Sequence, residues 1–421
     1  MGIVTEWKTF NKQQRNAFIA SYLGWMLDAF DFFLMVFVLR AVAAEFHSDV
    51  KAVSVAVTLT LAMRPLGALV FGILGDRFGR RPVLMADILL FSVLELASAF
   101  APTLTALLII RAAFGFAMGG EWGLGASLTM ETIPTKSRGA VSGVLQVGYP
   151  SGFLLASIVY GLLSDHIGWR GMFMVGVLPA LLVVFIRRNV EESPAWHRMR
   201  ARPRLRLGTL VRNHWTLFAY AVILMTAFNF FSHGTQDLYP TFLQAQHKFG
   251  THTVSTLVII ANLGAIAGGL SFGAFSQRVG RRRAIITAAL LALPIIPLWA
   301  FSTNLVLLAI GAFLIQLCVQ GAWGVVPVHL NELSPDEVRA TFPAFTYQLG
   351  NLLASANATL QAGFAEARDN NYALALAVVA ALAALSVAIL TFVGREKHSV
   401  EFGAATSTSE NGKGARTTLI L

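Results

Sequence analysis

The chain has 421 residues, 56% hydrophobic and only 13% charged, with a formal net charge of +10. A soluble domain carries about twice that charged fraction, so the composition is that of an integral membrane protein, and the basic excess must be placed before it can mean nucleic acid. A single cysteine, Cys318, excludes an intrachain disulfide and any multi-cysteine metal site.

In chain order, Met1–Arg15 is polar, and the apolar stretch after it is too long for a cleavable signal peptide and lacks a small-residue cleavage site. Glu6 stands where a myristoylation signal needs Ser or Thr. Crossing the hydrocarbon takes about 20 apolar residues as a helix. Twelve such spans are expected, at 17–40, 53–75, 82–101, 103–126, 139–163, 169–187, 215–243, 252–276, 284–302, 304–328, 340–364 and 372–393. They divide the chain into an amino-terminal segment 1–16, a six-span bundle 17–187, an arginine-rich linker 188–214, a second six-span bundle 215–393, and a tail 394–421. That tail is polar, rich in Gly, Ser and Thr, and expected to be disordered.

Lys and Arg in the loops set the orientation. One side collects Lys8, Lys12, Arg15, Arg77, Arg80, Arg81, Lys136, Arg138, the linker, Arg278, Arg281 to Arg283, Arg339 and the tail. The other side has only Arg40, Lys51, Arg170, Lys248 and Arg368. Both termini are therefore expected in the cytoplasm, in agreement with an even number of spans. The basic excess is a topology signal and not a nucleic-acid patch.

The chain also repeats itself. GILGDRFGRRP from Gly72 returns as GAFSQRVGRRR from Gly273, a shift of 273 − 72 = 201. The same shift pairs Gly120-Glu121-Trp122-Gly123 with Gly321-Ala322-Trp323-Gly324, and Glu131, Pro134 and Arg138 with Glu332, Pro335 and Arg339. A shift of 198 aligns Ala29-Phe30-Asp31-Phe32-Phe33 with Ala227-Phe228-Asn229-Phe230-Phe231. Two six-span halves repeated in parallel imply a site between them near mid-membrane, reached by rocking of one half against the other.

Gly72-x-x-x-Asp76-Arg77-x-Gly79-Arg80-Arg81 resembles the loop signature of the major facilitator superfamily, and the twelve-span plan is similar throughout. The resemblance implies an all-α fold of two pseudo-symmetric six-helix bundles. Gln277 departs from it, replacing the aspartate in the second copy. A narrower resemblance lies in span 7. Asn229-x-x-Ser232-His233-Gly234-Thr235-Gln236-Asp237-x-x-x-Thr241 is similar to the signature of Jen-type lactate/pyruvate:proton symporters, within the sialate:proton symporter family. Leu27 to Phe32, Arg64, Gly119-Gly120-Glu121 and Tyr347 to Asn351 carry the same resemblance.

Several polar groups sit where lipid would make them costly. Arg64 lies twelve residues before Asp76, about 18 Å along a helix and so near mid-depth. It is read as a carboxylate anchor, or as an ion-pair partner of Asp28, Asp31 or Glu121. Arg111 either tunes a neighbouring carboxyl or ties span 4 to span 1. Asp28 and Asp31, three apart on one helix face, suit a group that loads and releases a proton. Glu121, among glycines, is a proton carrier or a buried clamp, and Asp87 and Glu95 are read as structural. In span 7, His233 and Asp237 are four apart. His233 either titrates in the cycle or only bonds a neighbour, and Asp237 joins the proton candidates. Asn229, Gln236 and Gln348 fit neutral donors to the substrate, with Thr241 and Tyr149 counted beside them. Gly234 and Pro240 foretell a bend. Glu131/Arg138 and Glu332/Arg339 read as paired gate salt bridges, beside Asp76 and Arg77.

The resemblance implies proton-driven uptake of a small monocarboxylate such as lactate or pyruvate by alternating access. Sialic acid or another sugar acid is the related alternative, and a non-transporting nutrient receptor is the rival class. No P-loop, catalytic triad, dinucleotide fingerprint or metal-ligand spacing is present, so neither an enzyme nor a cofactor is expected. The partners implied are an organic anion, a proton and a bilayer, with the protein a monomer in a bacterial inner membrane.

Overall fold

The computed structural model describes residues 7–48, 50–200, 207–397 and 400–402. Among them the regular structure is helical. The first half comprises α1 (Lys12–Glu45), α2 (Val50–Phe78), α3 (Arg80–Ala99), α4 (Leu104–Met118), α5 (Glu121–Thr132), α6 (Arg138–Val175) and α7 (Pro179–Asn189). A short α8 (Pro194–Arg200) follows in the linker. The second half comprises α9 (Leu207–Gln236), α10 (Tyr239–Ala245), α11 (Thr251–Val279), α12 (Arg281–Phe301), α13 (Leu305–Trp323), α14 (Val326–Leu333), α15 (Thr341–Ala354), α16 (Asn357–Glu366) and α17 (Tyr372–Val393).

These helices string into twelve consecutive passes among the described residues, because several are broken halves of one pass. The α4/α5 break falls at Gly119–Gly120, and α6 contains two passes joined where Gly168 takes φ 62°. The bend expected in span 7 lies between α9 and α10, where Pro240 restarts the helix in its first turn. Nine stretches among the described residues are long and apolar enough to cross a membrane, one of them the two-pass Thr135–Asn189. Asn304 and Asn371 cap α13 and α17 with their side-chain oxygens, so the hairpins that precede them close without stranded amides.

Both copies of the loop signature turn on a glycine with positive φ, Gly79 at 114° and Gly280 at 94°, a region other residues reach only with strain. After each turn an arginine points inward to a glutamate 51 residues on. Arg80 meets Glu131 at 3.0 Å, and Arg281 meets Glu332 through two bonds of 2.9 and 3.1 Å. All four side chains are buried. This corrects the pairing read from the sequence. Glu131 is joined to Arg80 and Ser193, and Glu332 to Arg281, while Arg138 and Arg339 turn toward Phe402.

The two halves meet at the end of the molecule that carries the basic loops and the first and last described residues, here termed the basic end. There α6 crosses α11 so closely that a Cβ on Gly143 would stand 2.2 Å from the Gly269 carbonyl. Asp76 of α2 reaches into the other half and accepts from the backbone N–H of Ala340 and Thr341 and from the Thr341 hydroxyl, at 2.9, 3.0 and 2.6 Å. A carboxylate on the first turn of α15 is favoured by that helix's dipole. At the corresponding place in the second half, Gln277 accepts from the Gly139 N–H at 3.0 Å and donates to the Thr135 carbonyl at 3.1 Å. The amide substitution thus keeps a bond across the halves but removes a charge. Arg77 lies over the ring of Phe78.

Two boundaries differ from expectation. Helix α9 begins at Leu207, eight residues before the expected span, and is kinked at His214. The tail was expected to be disordered from 394, yet Glu396, Lys397 and Val400–Phe402 pack against the basic end, and Phe402 is buried. Residues 403–421 lie outside the described residues.

Candidate functional site

A cavity of about 490 Å³ lies between the halves, with walls of different chemistry. On the first-half side it is lined by Arg64 and by aromatic groups, Trp25, Phe32, Phe33, Tyr149 and Phe153, with Gln146. On the second-half side it is lined by amides and hydroxyls from four passes, including Asn229, Ser232, Thr235, Gln236, Asn262, Gln316, Gln320 and Asn351. The pseudo-symmetric tryptophans Trp122 and Trp323 (323 − 122 = 201) flank Tyr347, with ring centroids 4.7 and 5.5 Å away, and build an aromatic floor shared by both halves. The named contacts across the halves lie beyond that floor. The cavity is therefore shut toward the basic end and lined up to Tyr239 and Pro240 toward the opposite one.

Arg64 is the cation of the cavity wall. Its helix is pressed onto α4, where a Cβ on Gly119 would fall 2.1 Å from the Arg64 carbonyl, and only glycine permits that approach. The guanidinium is 2% exposed, reaches Asp28 Oδ2 at 3.5 Å and Met118 Sδ at 3.3 Å, and leans over the Phe32 ring. Its Nε has no bond, and neither has Asp28 Oδ1. A loose ion pair with unused donors is one that a bidentate carboxylate can displace.

Behind this wall lies a set of acids. Asp28, Asp31, Asp87, Glu95 and Glu121 are all fully buried, and Arg64 and Arg111 are the arginines buried with them. Asp31, Asp87 and Glu121 have no hydrogen-bond partner on either carboxyl oxygen. Glu121 Oε1 fills the notch left by Gly24, one turn from Asp28 on α1, at 2.3 Å from where a Cβ would be. Asp31 and Glu95 converge on Gly176 in the same sense. Charges so enclosed are costly unless paired or neutralised, and the acids outnumber the cations.

Arg111 sits apart from the cavity. It donates to Glu95 at 2.6 Å and to Ser98 at 2.7 and 3.1 Å, between the rings of Phe114 and Phe173. Its partner is thus on α3 and not on span 1, and Glu95 is partnered as expected whereas Asp87 is not.

In the second half, His233 bridges two groups. Nδ1 is 3.1 Å from Asp237 Oδ1, and Nε2 is 3.0 Å from the Asn351 amide. With Nδ1–H donating to the carboxylate, a neutral ring accepts from the Asn351 NH₂, and an imidazolium donates to its oxygen, so the site accommodates either charge state. Gln236 donates to Gln316 at 2.9 Å, Gln316 to Thr235 at 3.1 Å, and Asn229 to the Met225 carbonyl at 2.8 Å.

The structure thus brings Arg64, Tyr149, Asn229, His233, Gln236 and Asp237 to one cavity, with Asp28 directly behind Arg64. Gln348 and Thr241 are not part of its lining. Gln348 is 1% exposed, and both of its amide atoms lack a partner. Gln146, Asn262, Gln316 and Gln320 line the cavity although the sequence reading did not single them out. For α13 a signal was present, two glutamines four apart in an otherwise apolar helix and hence on one face.

Comparison with known proteins bears on this geometry. The model of the Major Facilitator Superfamily matches residues 18–250, and that described as "Sugar (and other) transporter" matches residues 207–401. The chain is 29% identical to the "Carboxylic acid transporter protein homolog" of Saccharomyces cerevisiae, over 94% of this chain and 70% of that one. It is 31% identical to the "Probable 4-methylmuconolactone transporter" of Cupriavidus pinatubonensis, over 83% of each. To "Sialic acid transporter NanX" of Escherichia coli it is 27% identical, over 93% of this chain and 96% of that one. Among solved structures the proton:xylose symporter XylE superposes with a TM-score of 0.77 at 17% identity, covering 93% of this chain and 98% of that one, a likeness of fold.

Proposed function

This chain belongs to the Major Facilitator Superfamily and is an integral membrane transporter, not an enzyme, and on that footing we propose that it couples inward proton flow to uptake of a small organic monocarboxylate. The observation that carries the reading is Arg64, a buried guanidinium in the cavity wall whose bond to Asp28 is long and whose Nε is unused. The substrate carboxylate takes one edge of the guanidinium with two parallel hydrogen bonds. Asp28, released, takes a proton on its carboxylate. The empty pair is neutral, and the loaded set of guanidinium, substrate anion and carboxylic acid is neutral too. Either form can cross between states without moving net charge through a medium of low dielectric. Asn229, Gln236 and Tyr149 orient the rest of the substrate, and His233 with Asp237 holds the mouth-side wall. The basic end is the cytoplasmic one, in a bacterial plasma membrane, and Asp76 and Gln277, which bond across the halves, hold the gate there, each backed by a buried pair within its own half, Arg80–Glu131 and Arg281–Glu332.

The names of the relatives support an acidic cargo, lactate- or pyruvate-like in the first instance. A sugar acid is the second reading, favoured by the width of the cavity and its wall of amides, which suit several hydroxyls. Uptake of labelled lactate, pyruvate, acetate and sialic acid into proteoliposomes, with and without an inward proton gradient, separates these readings. Uptake indifferent to the gradient refutes proton coupling, and a preference for sialic acid selects the second reading.

A further inference from the structure

At the basic end two arginines related by the repeat, Arg138 and Arg339 (339 − 138 = 201), converge on one aromatic ring. Their guanidinium carbons lie 3.7 and 3.9 Å from the ring centroid of Phe402. Arg138 opens α6 in the first half, and Arg339 leads into α15 in the second. The ring is 3% exposed. The backbone around it is held as well, for Arg138 donates to the Val400 carbonyl at 2.5 Å, and Arg198 of α8 donates to the Phe402 carbonyl at 2.7 Å. Further back along the tail, Glu396 accepts from the backbone N–H of Arg281 and Arg282 at 3.0 Å each, and Lys397 donates to the Leu333 carbonyl. The segment is thus tied to the second half at its start and hooked to the first half at Val400–Phe402.

Two guanidiniums facing one another repel, and here Nε of both and Nη1 of Arg339 are buried without a hydrogen bond. An aromatic ring offers its electron-rich face to a cation, and the attraction acts only within about 6 Å of the centroid. Carbonyls of the extended segment supply acceptors to Arg138 and Arg198, while Arg339 pairs with Asp336 and, among the described residues, meets the segment through the ring alone. We propose that Arg138, Arg339 and Arg198 form a binding site for an aromatic side chain on an extended segment, filled here by Phe402 of the chain's own tail, and that this clamp latches the basic end shut. Opening the cavity to that end requires the halves to part there. Since Arg138 and Arg339 belong to different halves, the ring must leave at least one of them. Phe402 then sets the balance between the two access states, whatever the cargo and whether or not protons are coupled to it.

The test is a distance measurement on the full chain in proteoliposomes without substrate. Spin labels at Lys136→Cys and Glu337→Cys report the gap between the halves, as both residues are exposed at the basic end and the native Cys318 is buried. The wild-type background is expected to give one short distance. Phe402→Ala is expected to add a longer population, raising the open-to-closed ratio by about tenfold. Phe402→Leu, which keeps bulk without a π face, shifts the same way, whereas Phe402→Trp stays closed and shows that the segment still docks. A Phe402→Ala distribution identical to wild type overturns the latch. A Phe402→Leu distribution identical to wild type overturns the guanidinium–ring basis of it.

Discussion

The first half buries acids and arginines inside its own wall, Asp28, Asp31, Asp87, Glu95 and Glu121 with Arg64 and Arg111, and shows the cavity a single cation among aromatic rings. The second half shows the cavity mainly amides and hydroxyls, with one ionisable pair, His233 and Asp237, and among the described residues its one fully buried carboxyl, Glu332, is at the basic end. The halves share a fold and a repeat of 201 residues, so the difference is in side chains and not in architecture. It teaches that a pseudo-symmetric scaffold can split its work. The half with the buried acids and arginines is fitted to hold and exchange charge, and the half whose wall is mainly neutral donors and acceptors is fitted to recognise shape and hydroxyl pattern.

Substitutions on the two sides are expected to differ in size and in kind. Arg64→Gln removes the one cation of the wall and leaves Asp28 buried without it. Uptake efficiency, kcat/KM measured with labelled substrate, is expected to fall by about 100-fold or more, in line with the roughly 3–5 kcal/mol cost of breaking a buried pair. A variant with normal efficiency would move the anion grip elsewhere. Glu332→Gln strands Arg281, which has two charge-assisted bonds to it. Its effect is on stability, an expected loss of about 3 kcal/mol in unfolding free energy with a lowered melting temperature, read by thermal melting in detergent.

Second-half changes are expected to be milder. Gln316→Ala cuts two hydrogen bonds in the amide wall and is expected to raise KM by about tenfold, with the ratio of protons to substrate in flux assays unchanged. A change in that ratio would blur the distinction between the halves. Gln348→Leu is the smallest. Its amide is buried with neither atom bonded, so an apolar replacement is expected to leave KM within about twofold and the melting temperature level or higher. A large rise in KM would return Gln348 to the binding wall.

Much of the fold was legible because a membrane protein writes its spans as apolar length and this one writes its architecture twice. The polar face of Asn229 to Asp237 was legible for a related reason, since polar groups stand out against an apolar background. Contacts between distant helices were less so. Glu131 and Arg138 share a chain end and suggest a pair, yet Arg80, 51 residues before Glu131, is the partner. The repeat held that information, because Arg80 and Glu131 recur together as Arg281 and Glu332. Helical phase accounts for Gln348. Tyr347 and Asn351, four apart, face the cavity, and a residue one step on is turned by about 100°. The docking of Phe402 left no trace in a tail whose composition reads as disorder.

Transport as proposed turns on the exchange of partners between Arg64 and Asp28, and proton uptake on substrate binding measures that exchange. Purified protein in weakly buffered detergent solution is mixed with saturating substrate at neutral pH, and the pH change is converted to protons bound per substrate bound. About one proton is expected for the wild type and none for Asp28→Asn, with substrate still bound by Arg64 in both. Substrate binding without proton uptake in the wild type, or undiminished uptake in Asp28→Asn, would contradict that exchange.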